Sequence, residues 1–215
     1  PGSQFGASVA YAGDVDGDGF ADVVVGAPNY QTASGIISHL IPHPQAGYAF
    51  LYRGSAFGLV FGGWGITDNQ DWAREGTSVA GAGDVNADGY GDVVIGTGSW
   101  DTGVPDQGHA RLYLGGPGGL SPTPQRTWEG AGASNYFGQS VAGLGDFDGD
   151  GYGDIAIGAF NAGSGGKAYV VRGGATGAEA APSWEYTGPS AGDAFGSAVS
   201  TAGDVNGDGY ADLLV

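Results

Sequence analysis

Apolar residues along this chain come in runs of four to seven, separated by clusters of Gly, Asp, Asn and Pro. Within the runs, apolar and polar positions alternate with a period of two, as in strands that turn one face toward a neighbouring layer. One stretch shows the unit in full: SVAGAG at 78–83, an acidic loop, DVVIG at 92–96, a variable loop, HARLYLGG at 109–116, and a weaker strand around Trp128. The third strand recurs as YAFLYRG at 48–54 and KAYVVRG at 167–173, and the fourth recurs around Trp64 and Trp184. The pattern predicts short antiparallel strands joined by tight turns, and no helices.

The same unit appears four times, as Phe5-Gly6 before GDVDGDGFADVVVGAP, Glu75-Gly76 before GDVNADGYGDVVIGTG, Phe137-Gly138 before GDFDGDGYGDIAIGAF, and Phe195-Gly196 before GDVNGDGYADLLV. The first aspartates of the loops, Asp14, Asp84, Asp146 and Asp204, lie 70, 62 and 58 residues apart. That spacing is too long for most solenoids and suits four-stranded propeller blades with generous loops. The expected fold is all-β, a β-propeller segment over residues 1–215, with blades at about 1–70, 71–132, 133–190 and an incomplete 191–215. A closed ring takes about four to eight blades, so further blades are expected from the same longer protein or from another chain.

Charge sharpens this picture. The chain carries 23 acidic and 6 basic residues, a net −17, which disfavours nucleic acid and anionic membranes as partners. Fourteen of the 23 carboxylates crowd into the four loops, where they would repel one another unless cations bind. There are no cysteines, so any metal must be held by oxygen or by the three histidines. No run approaches a membrane span, and no membrane insertion is expected.

The loops share the form D-x-[DN]-x-D-G-x-x-D. Alternate side chains of such a loop aim oxygens inward, the seventh residue adds its carbonyl, and a glycine at the sixth lets the backbone bend sharply. The expected ligands are Asp14, Asp16, Asp18, Asp22 and the Phe20 carbonyl, then Asp84, Asn86, Asp88, Asp92 and the Tyr90 carbonyl. The third set is Asp146, Asp148, Asp150, Asp154 and the Tyr152 carbonyl, and the fourth is Asp204, Asn206, Asp208, Asp212 and the Tyr210 carbonyl. An EF-hand would need a bidentate Glu at position 12, where this chain has Val25, Ile95, Ile157 and Val215 inside strands. Isolated Asp-Gly turns are common, but four copies with an oxygen ligand at every position are not. About four Ca²⁺ ions are expected.

A Phe-Gly pair, then a DxDGDGxxD loop, then Gly26-Ala27-Pro28 resembles the FG-GAP repeat of integrin α-subunit propellers and their bacterial relatives. The second unit departs from it with Glu75-Gly76 and Gly96-Thr97-Gly98, and the third ends Gly158-Ala159-Phe160. The resemblance implies a seven-bladed ring, calcium in the hairpins between the first two strands of each blade, and ligand binding elsewhere on the ring. It does not name the ligand, because the fold hosts many functions.

Other chemistry is thinly represented. His39 and His43 share a long loop over 29–47 whose Ile36, Ile37, Leu40 and Ile41 are expected to pack on a neighbouring blade. Without a third ligand the two histidines do not make a metal site. Trp64, Trp128 and Trp184 recur at equivalent positions and should pack between blades, which leaves Trp72 and Trp100 as the better binding residues. The clustered carboxylates are committed to calcium, and no nucleophile or phosphate motif appears, so no enzyme is expected. The leading reading is a secreted or cell-surface module that recognises a protein or glycan. The alternatives are part of a calcium-dependent polysaccharide-degrading enzyme, which would need one of Arg53, Arg74, Arg111, Arg126, Lys167 or Arg172 at the substrate, and a structural spacer.

Overall fold

The computed structural model describes residues 2–33 and 42–215, so His39 and the apolar Ile36, Ile37, Leu40 and Ile41 lie outside the described residues. Among those described, every regular element is a strand. The first sheet pairs β1 (Ser8–Gly13) with β2 (Asp22–Gly26), and β2 with β5 (Ala49–Arg53) after a short ladder of β3 (Thr32–Ala33) and β4 (Pro42–His43). It ends on β6 (Val60–Ile66). The second runs β7 (Ser78–Gly83), β8 (Asp92–Thr97), β9 (His109–Tyr113), β10 (Arg126–Glu129), and the third β11 (Ser140–Gly145), β12 (Asp154–Ala159), β13 (Lys167–Val171), β14 (Trp184–Thr187). β15 (Ser200–Gly203) and β16 (Asp212–Leu214) form a further two-stranded sheet. All of these pairings are antiparallel. Three four-stranded blades and the first hairpin of a fourth follow one another as the repeats predict.

The sheets pack face to face, with the core between them. Ala12, Val15, Val24 and Leu51 of the first meet Val79, Val93, Ile95 and Tyr113 of the second, while Val94, Leu112 and Trp128 meet Ile155, Ile157 and Tyr169 of the third. β8 and β12 are buried along their whole length, which explains why they read as continuous apolar runs.

The glycines of the repeat have a specific task. A Cβ on Gly26 would land on the Gly76 carbonyl, one on Gly96 on the Gly138 carbonyl, and one on Gly158 on the Gly196 carbonyl. Each second-strand glycine of one blade therefore abuts the Phe-Gly or Glu-Gly glycine of the next, backbone against backbone. The latter glycines, Gly76, Gly138 and Gly196, take φ of 76°, 80° and 82°, a left-handed conformation that glycine adopts without strain.

Serines add a second tie between blades. Val79 donates its N–H to Ser8 Oγ (2.9 Å), Val141 to Ser78 Oγ (3.0 Å) and Val199 to Ser140 Oγ (3.0 Å). Tryptophans make a third: Trp64 Nε1 donates to the Ser121 carbonyl (2.9 Å), and Trp128 Nε1 to the Glu179 carbonyl (3.0 Å). Trp128 is 4% exposed while the equivalent Trp184 is 42% exposed.

Candidate metal centres in the acidic loops

The four loops link β1 to β2, β7 to β8, β11 to β12 and β15 to β16. Each begins where the hairpin register slips, at Gly13, Gly83, Gly145 and Gly203, all with positive φ. This bulge turns the chain out of the sheet and into the loop.

Inside the first loop the Asp14 carboxylate organises the backbone. Its Oδ1 accepts the N–H groups of Gly17 (2.7 Å) and Asp18 (3.1 Å), and its Oδ2 that of Gly19 (2.7 Å). Asp18 Oδ1 accepts from Phe20 (2.8 Å). Asp204 repeats all three bonds to its loop, and Asp84 and Asp146 two of the three each. Ligand oxygens of Asp14, Asp16 and Asp18 lie within 4.8 Å of one another, as do those of Asp146, Asp148 and Asp154. A hard divalent cation with six to eight oxygens at about 2.3–2.6 Å fits this donor set.

The ninth position differs in character. Asp22, Asp92 and Asp154 are fully buried, and each staples the loop to the segment after the third strand. Asp22 accepts from Val15 and Gly54 (2.8 Å each), Asp92 from Val85 and Gly115 (2.8 Å each), and Asp154 from Phe147 (2.7 Å) and Gly173 (2.9 Å). Asp212 accepts from Val205 (2.8 Å). An oxygen that takes one N–H keeps a second lone pair for a cation. Burial, reinforced by the neighbouring carboxylates, raises the pKa of Asp22 and Asp154 and pushes Asp92 up to about 6, despite the backbone donors. Asp204 is held below its usual range by backbone N–H groups, beginning with that of Gly209.

Arginines complete the loops in a way that the sequence reading overlooked. Arg53 Nη1 lies 3.0 Å from Asp16 Oδ2, and Arg172 Nη1 lies 2.8 Å from Asp148 Oδ2. In the second blade the corresponding positions hold Leu114 and Asn86. The arginine is present where the third loop position is charged and absent where it is neutral, a signal visible on aligning YRG, YLG and VRG across the repeats.

Neighbouring loops also interlock. Gly91 donates its N–H to the Asp14 carbonyl (2.8 Å), Gly153 to that of Asp84 (2.9 Å) and Ala211 to that of Asp146 (3.4 Å). The Tyr90 ring closes over Gly17, and the Tyr210 ring over Gly149. In these two pairs the aromatic at the seventh position covers the preceding loop with its ring.

The antiparallel order puts the second-to-third strand connections and the links between blades at the opposite end of the strands. There a cleft of about 350 Å³ is lined by Gln45, Asp71, Trp72, Arg74, Asp101 and Asp106, with Trp72 56% exposed. His43 Nδ1 lies 2.7 Å from Asp71 Oδ1 beside it. Trp100 instead lies against the buried His109 ring, with centroids 4.4 Å apart.

Known proteins carry the same repeats. The FG-GAP repeat matches residues 5–40 and 76–113, and an FG-GAP-like repeat matches 146–215. Integrin alpha pat-2 of Caenorhabditis elegans is 33% identical over 171 residues, covering 76% of this chain and 14% of its own length. Integrin alpha-IIb of Mus musculus is 35% identical over 162 residues (74% and 15%), and integrin alpha-8 of Gallus gallus is 32% identical over 174 (79% and 16%). The chain therefore spans only about one seventh of the length of such relatives. With repeat matches along more than half of it, and sheets that follow those repeats, this chain belongs to the FG-GAP repeat family of β-propellers.

Proposed function

We propose that the chain is part of an extracellular, calcium-dependent recognition propeller in which about four Ca²⁺ ions act structurally and a protein or glycan binds elsewhere on the ring. The observation that carries this reading is the chain of interlocked acidic loops, from Asp14 to Gly91 and from Asp84 to Gly153. A cation held by Asp14, Asp16, Asp18, Asp22 and the Phe20 carbonyl, and likewise in the other three loops, would neutralise the crowded carboxylates. It would stiffen both its own hairpin and the contact with the next blade. Affinities of roughly 10⁻⁴ to 10⁻³ M suffice outside the cell, where calcium is plentiful.

Adhesion comes from the integrin α relatives, and the cleft around Trp72 supports it as a binding surface on the opposite end of the blades. An exposed aromatic ringed by carboxylates, one arginine and a glutamine suits the stacking and hydrogen bonding of a sugar or a basic peptide. The exposed faces of β1 (Val9, Tyr11) and β14 (Trp184, Tyr186) are where further blades would pack. The division into blades at about 1–70, 71–132, 133–190 and 191–215 goes with this reading.

Calcium titration by calorimetry, with melting curves with and without chelator, tests the proposal. About four bound ions and a lower melting temperature in chelator support it, and no calcium binding refutes it. Glycan and matrix-protein arrays test recognition, with loss of any hit in Trp72→Ala pointing to the cleft.

A further inference from the structure

One of the places where the second blade departs from the repeat is buried. Where the first and third blades bring Phe5 onto Phe50 (5.6 Å between centroids) and Phe137 onto Tyr169 (5.2 Å), the second sets Glu75 beside Arg111. His109 stands where those blades have Tyr48 and Lys167, and Asp68 joins from the turn after β6. Glu75 and His109 are fully buried side chains, and Asp68 is 10% exposed. Both Glu75 oxygens, both His109 ring nitrogens and Asp68 Oδ2 are buried without a hydrogen-bond partner. Buried polar atoms are ordinarily satisfied, and apart from the 3.2 Å ion pair between His109 Nε2 and Asp68 Oδ2 these atoms lack the hydrogen bonds that would satisfy them, so the cluster calls for a ligand.

We propose that Asp68, Glu75 and His109 form a binding site for a first-row transition-metal ion of the zinc class, separate from the acidic loops. His109 Nε2 lies 3.2 Å from Asp68 Oδ2 and 3.7 Å from Glu75 Oε2, and all three donor atoms fall within 4.8 Å of one another. Tetrahedral coordination at bonds of about 2.0–2.1 Å spaces its donors roughly 3.3 Å apart, close to both measured separations. An imidazole in the set favours zinc, cobalt or nickel over the calcium suited to all-oxygen loops. Arg111 pairs with the other Asp68 oxygen, Oδ1, and so turns Oδ2 toward the imidazole, as an outer partner of a ligating carboxylate does. Two carboxylates and one guanidinium leave a net single negative charge around a neutral imidazole, which a divalent ion offsets. Asp68 and Arg111, with side chains 10% and 15% exposed, are the members of the cluster nearest solvent.

The test uses the untagged chain saturated with calcium and titrated with Zn²⁺ and, for its visible spectrum, Co²⁺. The expected result is one further equivalent of metal, a tetrahedral cobalt band, and X-ray absorption showing one imidazole and two carboxylates. Glu75→Gln and His109→Gln should each weaken this binding by about tenfold or more, whereas His39→Ala/His43→Ala should leave it unchanged. The proposal is overturned if no transition metal binds beyond calcium or if absorption shows oxygen neighbours alone. It is equally overturned if binding survives His109→Gln or vanishes in the His39/His43 variant. A cluster that is only a salt-bridged imidazolium gives the first of these results.

Discussion

Truncating Trp128 and Trp184 to alanine separately tests whether the sheets are held together by the contacts described above. The two residues occupy the same position in successive repeats. Trp128 is 4% exposed, packs into the core between the second and third sheets, and donates Nε1–H to the Glu179 carbonyl at 3.0 Å. Burying a tryptophan removes up to about 250 Å² from water, which at about 25 cal/mol/Å² sets an upper limit near 6 kcal/mol. Measured truncations of buried aromatics fall at about 3–5 kcal/mol, and the lost hydrogen bond is part of that cost, at roughly 1 kcal/mol. Trp128→Ala is therefore expected to cost about 4 kcal/mol. Trp184, 42% exposed, buries little more than half as much and is expected to lose about 2 kcal/mol. Urea unfolding in saturating calcium, with the slope checked for constancy, reads both values. At roughly 2–4 °C per kcal/mol for a chain of this size, the melting temperatures should fall by about 8–16 °C and about 4–8 °C. Equal losses would show that the second and third sheets do not pack as described.

Ser78→Ala removes the acceptor for the Val141 N–H between two blades and is expected to cost about 1–3 kcal/mol in the same urea assay. Gly96→Ala would drive a Cβ into the Gly138 carbonyl, and a loss of about 3 kcal/mol or more, or failure to yield soluble protein, is expected. Gly89→Ala is its control: with φ of 91° but nothing near its Cβ, it should cost only the backbone strain, about 1–2 kcal/mol. Asp88→Ala should leave the melting temperature in chelator nearly unchanged, because Asp88 is exposed and accepts only within its own loop. With calcium at a hundredfold excess over its dissociation constant, the same variant should forfeit about 2.7 kcal/mol of ion-induced stabilisation, read from melting curves against calcium concentration.

Much of this molecule could be read from its residues because the repeats are short-range and redundant. Alternation of apolar and polar positions depends only on the period of a strand, and the acidic loops keep all their side-chain oxygens within nine consecutive positions, so strand order and candidate ligands follow from local spacing. The tryptophans at 64 and 128 were likewise legible as packing between blades, since recurrence at one position implies one environment.

What the tertiary structure decided were relations between residues far apart in sequence. Ser8 meets Val79, Gly96 meets Gly138, and Arg53 meets Asp16 across the sheet edge, partnerships that no local pattern encodes. Asp22, Asp92 and Asp154 proved to be buried staples as well as loop carboxylates, because each accepts one N–H from its own loop and one from the segment after the third strand. The replacement of Phe by Glu75 was visible as a departure from the repeat, but its meaning depended on which side chains the neighbouring turn and strand bring to it. His109 and Arg111 share one face of β9, but Asp68 and Glu75 reach them only in the folded chain, since burial and charge pairing are properties of the assembled interior.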